Sequence, residues 1–186
     1  MPRTSHALAV DGRVWVVDPV EGSGVDERVR SLGEPAGVLV LLDRHRRDSD
    51  AFAARYGVPV RETPFDGVPG APFELRTILR NRFWREVALW WPDRRVLVVA
   101  DAIGSLPYMR TPAEAIGVHP LLRPLPPRRA LGGIQPEHVL VGHGEGIHGP
   151  EAARALEEAL ATARRRLPSL MASLVRGRSV RSPSVR

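Results

Sequence analysis

Residues 138–149 read HVLVGHGEGIHG, a short apolar run that ends in a histidine held between Gly142 and Gly144. A backbone turn accounts for glycines there, but nothing in a turn asks for an imidazole. Two chemistries compete for the stretch. Gly144, Gly146 and Gly149 match the G-x-G-x-x-G spacing of a dinucleotide-binding loop. That fingerprint opens a βαβ unit and needs an acidic residue on the next strand, about 20 residues on. Here Pro150 starts the helix after the third glycine and no further strand follows it. A nicotinamide or flavin site is set aside, and without a following Gly-Lys-Ser/Thr so is a phosphate loop. The other reading of His143 comes from the order of motifs along the whole chain and from the resemblance that this order implies. Two more strand ends carry polar side chains. Asp101 closes the run VLVVAD, and residues 43–49 read DRHRRDS, with His45 and Asp48. Imidazole and carboxylate suit zinc and similar ions, and with no cysteine in the chain thiolate sites are excluded. Each residue also has a plainer reading. Asp48 suits a helix N-cap, His45 a solvated Arg-rich loop, and Asp101 a turn. His148, five residues past His143, is a weakly placed substitute ligand.

The elements that must position these residues are legible as apolar runs. RVWVVDPV (13–20) and AGVLVLL (36–42) are continuous and β-branched, as in strands covered on both faces. VDERVRSL (25–32) and SDAFAARY (49–56) read as short helices, with Asp48 at the second one's N-cap and Gly57 at its stop. VPV (58–60) reads as a brief strand, and 61–80 stay undetermined. EVALWW–PDRR–VLVVADA (86–102) is a hairpin with a four-residue loop. Residues 104–127 hold six prolines and read as a long surface loop of the sort that frames a site. HVLV (138–141) is the last strand. PEAARALEEALATARRR (150–166) is a helix that starts with Pro150 and is expected to stop at Pro168.

Composition bounds the function classes. With 186 residues and 43% apolar content, the chain can bury one real core. All 27 basic residues are arginine and the formal charge is +6. Four of those arginines lie in residues 168–186 with no acid among them, so the rest has 23 arginines against 21 acids. The basicity sits in a tail rather than a stripe on the fold, which argues against specific nucleic-acid binding. No apolar run is long enough to span a bilayer, and no signal-peptide core is present. The expectation is a cytoplasmic protein with no membrane partner.

In order, VWVVDP, LVLLDRHRRDSDAF, a hairpin ending VLVVADAI, and VLVGHGEG before a last helix resemble the metallo-β-lactamase superfamily over roughly residues 13 to 165. In that family the first strand ends in a hydrophobic-Asp pair, here Val17-Asp18. A hairpin ends in Gly-Asp, matched by Asp101 after Ala100. A late strand ends in Gly-His-Gly, matched by His143. The His-rich T-H-x-H-x-D-H run is reduced to residues 43–48, where His45 survives and Asp48 stands near the helix-opening Asp or His. The mid-chain Gly-His-Thr is absent.

The resemblance implies an α/β protein, a shortened αββα sandwich, over residues 1–169, with 170–186 as a flexible Arg/Ser-rich tail. It implies at most one ion, zinc, held by His45, Asp48, Asp101 and His143. Asp101 and His143 would be catalytic in a metal-dependent hydrolase, whose metal-bound water attacks an ester, amide or phosphoester of a small-molecule substrate. The alternative is a non-catalytic relative with a lost metal site, serving as a binding or scaffold protein. In that version Arg44, Arg46 or Arg47 stands where the cation would be and neutralises Asp101.

Overall fold

A computed structural model describes residues 3–179, with side chains through residue 175. The strands are β1 (His6–Val10), β2 (Arg13–Val17), β3 (Glu34–Val40), β4 (Val60–Glu62), β5 (Glu74–Arg80), β6 (Arg85–Trp91), β7 (Val96–Val99), β8 (Ile103–Gly104), β9 (Gly117–Val118), β10 (His138–Val141) and β11 (Ile147–His148). The helices are α1 (Val25–Leu32), α2 (Ser49–Tyr56), α3 (Arg128–Leu131) and α4 (Glu151–Ser179). One sheet has the order β1-β2-β3-β4 and the other β11-β10-β7-β6-β5, while β8 and β9 form a small ribbon.

The continuous apolar runs have a direct cause, because each central strand is covered on both faces. Val14 and Val16 pack with Val38, Val29 of α1 and Phe52 of α2. Trp15 and Val17 point the other way, into the space shared with Val87, Leu89 and Val98 of the second sheet. On that sheet's far side Leu97, Val99, Val139 and Val141 meet Ala152, Leu156, Ala159 and Leu160 of α4. The layers are therefore helix, sheet, sheet, helix, as expected. The expected hairpin is β6–β7, turned by Pro92–Arg95. No described helix is long and apolar enough to cross a membrane.

Four features differ from the sequence reading. A hairpin precedes β2, with Asp11 and Gly12 both at positive φ (49° and 76°), the geometry a two-residue Asp-Gly turn adopts. Part of the undetermined 61–80 stretch is β5, the edge strand beside β6. The Pro-rich 104–127 loop is not merely superficial. Arg123 is fully buried beneath it, bonded to Glu114 and to the carbonyls of Met109, Val118 and Ala163. The last helix runs through Pro168 to Ser179 rather than stopping. Proline costs a helix about 3 kcal/mol through its missing N–H and its clash with the preceding turn. Two residues later Leu170 is completely buried, which offsets that cost. The boundary expected at residue 169 falls inside this helix. Residues 180–186 lie outside the described residues.

Candidate metal centre

The site forms where four strand ends of the two sheets meet. Asp18 follows β2 in a left-handed conformation, φ 46°, which is strained for a residue with a Cβ. It is 2% exposed. Its Oδ1 accepts the backbone N–H of Leu41 at 3.0 Å and its Oδ2 lies 3.0 Å from His45 Nδ1. This carboxylate therefore fixes the His45 ring and leaves Nε2 facing the second sheet.

Asp101 follows β7. Its backbone N–H and that of Ala102 both donate to Glu86 Oε1, each at 2.9 Å. Glu86, on β6, is completely buried, and its Oε2 accepts Trp84 Nε1–H at 2.7 Å. Burial pushes its carboxyl up to about 7, against the opposing pull of those donors and with a further push from Asp101. Glu86 holds the Asp101 turn in place.

His143 follows β10, and the glycine before it is needed for close approach. A Cβ on Gly142 would lie 2.6 Å from Ala100 O and 3.0 Å from His45 Cε1. Gly144 takes φ 94°, which carries the chain away from the site.

The three side chains converge. Asp101 Oδ1 is 3.3 Å from His45 Nε2 and 3.3 Å from His143 Nε2, and the two nitrogens are 3.3 Å from each other. The imidazole rings stand edge to face, with centroids 5.1 Å apart and planes at 83°. Although buried, Asp101 Oδ1 accepts no well-aligned hydrogen bond. Burial pulls the His45 pKa down, but contacts with Asp101 and Asp18 outweigh it and hold the ring at about 9. Burial likewise favours neutral Asp101, yet His45 and His143 hold its carboxyl below the usual range. Without a metal, His45 is an imidazolium between two carboxylates at neutral pH.

Of the four expected ligands, the structure gathers His45, Asp101 and His143. Asp48 is not among them. It sits at the N-cap position of α2, but its Oδ2 accepts the backbone N–H of Glu21 at 2.9 Å, a contact that ties down the segment after β2. His148 is elsewhere too, opposite His138 on the β10–β11 pair, with Nδ1 atoms 3.0 Å apart. None of the three arginines makes a salt bridge to Asp101 among the described residues. Arg46 pairs with Asp50 and Glu62. Arg44 lies 4.4 Å from the Trp84 ring centroid. Arg47 donates to the carbonyls of Thr4, Asp18 and Gly142, fastening three loops around the site. Guanidinium replacement of a cation is thus not how Asp101 is neutralised. The protonated His45 ring does it.

Sequence reading missed three contributors: Glu86, Arg47 as a clamp, and His119. Asp18 was visible only as half of a strand-end pair. His119 sits after β9, its backbone N–H donating at 3.0 Å to the carbonyl of Ala102, which follows Asp101 in the chain. A pocket next to the centre is lined by Thr4, Ser105, Leu106, Gly144 and Glu145.

No family model matches the sequence, and no curated protein matches it. Solved structures do match. The chain superposes on a di-iron-bound form of TTHA1623 with a TM-score of 0.56 at 17% identity, covering 81% of this chain and 92% of that one. The chain has the metallo-β-lactamase fold. Two lactamases of that fold agree with it in the same way. DIM-1 exposed to ceftazidime gives a TM-score of 0.53 at 12% identity over 87% of this chain and 85% of that one. The B3 metallo-β-lactamase BLEG-1 gives 0.51 at 18% identity over 79% and 90%.

Proposed function

We propose that this metallo-β-lactamase-fold chain is a divergent hydrolase that holds one divalent ion, most simply zinc, on His45, Asp101 and His143. The supporting observation is the triangle itself. Two nitrogens and a carboxylate oxygen on a tetrahedral zinc, at about 2.1 Å from it, stand about 3.4 Å apart. The three donor atoms here are 3.3 Å apart on every side. The oxygen among them lacks a well-aligned donor, as expected of an atom reserved for a cation. The di-iron form of TTHA1623 is a protein of this fold with metal bound.

Three protein ligands leave a coordination position open, the arrangement of catalytic rather than structural sites. A bound ion would supply Lewis acidity, making water ionise near neutral pH and polarising an ester, amide or phosphoester oxygen. The chain's own residues do the rest. Asp18 keeps His45 Nδ1 occupied and Nε2 directed at the site. Glu86 fixes the Asp101 turn. Gly142 lets His143 come within reach. With an ion there, His45 gives up the proton on Nε2 and remains a neutral imidazole whose Nδ1–H donates to Asp18.

A second reading has its own observation. Protonated His45 already neutralises Asp101, so the fold stands without metal and the protein is then a non-catalytic binder. Elemental analysis of protein purified without added metal, followed by zinc titration, separates the two. The hydrolase reading expects close to one equivalent of zinc and ester or phosphoester hydrolysis that needs it. Protein that takes up no zinc at neutral or mildly alkaline pH supports the second reading.

A further inference from the structure

Strand β3 carries a glycine that its backbone does not ask for. Gly37 lies outside the left-handed region. A Cβ there would sit 3.5 Å from Pro59 O and 3.7 Å from Trp15 Cδ1, ordinary van der Waals distances. The two other strand glycines are different. A Cβ on Gly104 would collide with the Met109 sulfur, and one on Gly117 with the Met109 carbonyl. Glycine weakens a strand interior, and one kept without such a collision marks a place that something else approaches.

The room beside Gly37 is a cavity of about 270 Å³ whose lining includes Arg13, Trp15, Leu39, Arg61 and Val68. A register shift makes it: Ala36 is passed over between Val14 and Trp15, so that Trp15 stands opposite Gly37. Alternation along the strands decides which side chains face it. Val14 and Val60 pack on the helix side of the sheet, so Arg13, Trp15 and Arg61, each one residue away, point between the sheets. Arg13 lies over the Trp15 ring, 4.9 Å from its centroid. Trp15 is 3% exposed, yet its indole N–H meets no acceptor among the described residues. That nitrogen is 4.0 Å from where a Gly37 Cβ would be, at the wall of the cavity. A buried donor of this kind calls for a partner. Trp15, Leu39 and Val68 make the floor apolar, and no acid lines the space. Neither Arg13 nor Arg61 forms a salt bridge among the described residues.

We propose that this cavity binds a small carboxylate with an apolar body. The body fills the room beside Gly37, against Trp15, Leu39 and Val68. One carboxylate oxygen accepts the Trp15 Nε1–H, and the Arg13 and Arg61 guanidinium groups meet the charge at the mouth. A bare inorganic anion leaves the apolar floor uncovered, and a neutral molecule leaves the arginines unmatched. Arg13 opens β2 and Asp18 follows its end. At about 3.3 Å per residue, the cavity lies about 16 Å along the strand from the metal centre. It is a second site, independent of how that centre is read.

The indole N–H signals of the full chain, followed by NMR while benzoate is added, read the site directly. The chain has four tryptophans, and Trp15→Phe assigns the signal that matters. Benzoate should shift the Trp15 signal saturably, with half-saturation on the order of 1 mM for so small a ligand. Benzyl alcohol, which lacks the charge, and inorganic phosphate, which lacks the body, should each need roughly tenfold more. Arg61→Gln should weaken benzoate roughly tenfold, the loss of one charge-assisted hydrogen bond. Gly37→Val fills the space with a residue that strands favour, so benzoate binding should be lost with the circular dichroism intact. No saturable shift at tens of millimolar, a full response in folded Gly37→Val, or phosphate binding as tightly as benzoate overturns the proposal. Should Gly37→Val not fold, Arg61→Gln decides: undiminished binding overturns the site, and a tenfold loss upholds it.

Discussion

The chain contains two close histidine pairs, and they differ in what surrounds them. His45 and His143 meet between the sheets, 3.3 Å apart, each 3.3 Å from one oxygen of Asp101. His138 and His148 meet on the exposed β10–β11 edge, 3.0 Å apart, with no carboxylate between them. The neighbouring Glu137 is already paired with Arg95. In the first pair a third donor and a buried orienting carboxylate turn two rings into a ligand set. In the second, one ring donates to the other and the pair satisfies itself. Proximity of imidazoles alone does not make a metal site. A shared anion held out of water does, because it must be neutralised by a proton or by a cation.

The contrast breaks most decisively at His143. His143→Ala should abolish stoichiometric zinc uptake, read by elemental analysis after dialysis, since two remaining donors hold an ion poorly. Undiminished uptake would move the centre elsewhere. Next in size is the orienting carboxylate. Asp18→Asn should weaken zinc about 10–100-fold, the usual cost of losing such a partner, as read by competition with a chromophoric chelator. An unchanged affinity would mean that His45 needs no help to face the site.

Acidity sharpens the comparison further. The folded-state pKa of His45 is raised from 6.5 to about 9. Its contribution to the metal-free fold is therefore complete below pH 6.5 and is lost as pH rises through 9, a swing on the order of 3 kcal/mol. Thermal melts of metal-free protein should show that decline, and His45→Gln should flatten it. Zinc affinity should move the opposite way, rising with pH up to about 9 as the competing proton leaves Nε2. Glu86, raised from 4.5 to about 7, gives a separate and earlier decline over its own window. The smallest effect belongs to the exposed pair. His148→Ala should change stability by no more than about 0.5 kcal/mol and leave zinc stoichiometry as it was. A lost equivalent of zinc there would erase the distinction between the two pairs.

The sequence made the layers legible because strands buried on both faces must read as unbroken apolar runs, and RVWVV, GVLV and VLVV do. Asp101 and His143 stood out because polar residues that end such runs face a sheet edge, and Gly-His-Gly has no purely structural motive for its imidazole. Glu86 was hidden for the converse reason. An acid at the start of REVALWW looks like a solvated strand end, and only the three-dimensional meeting of β6 with the Asp101 turn gives it two backbone donors. Asp48 misled because an N-cap and a ligand call for the same residue type. Pro168 misled because the burial of Leu170, which outweighs it, is a tertiary fact.

The Arg47 clamp has a consequence for the order of events during synthesis. Its guanidinium joins Thr4, Asp18 and Gly142, and the ligand contact from His45 to His143 spans 98 positions. The first sheet, emerging first, can dock its helices early, because domains acquire structure as they leave the ribosome. It carries His45 and Asp18 but no third donor. Until residue 143 has been made and the segment around Thr4 has been fastened beside it, the growing chain lacks the third donor, so metal capture waits for the second sheet.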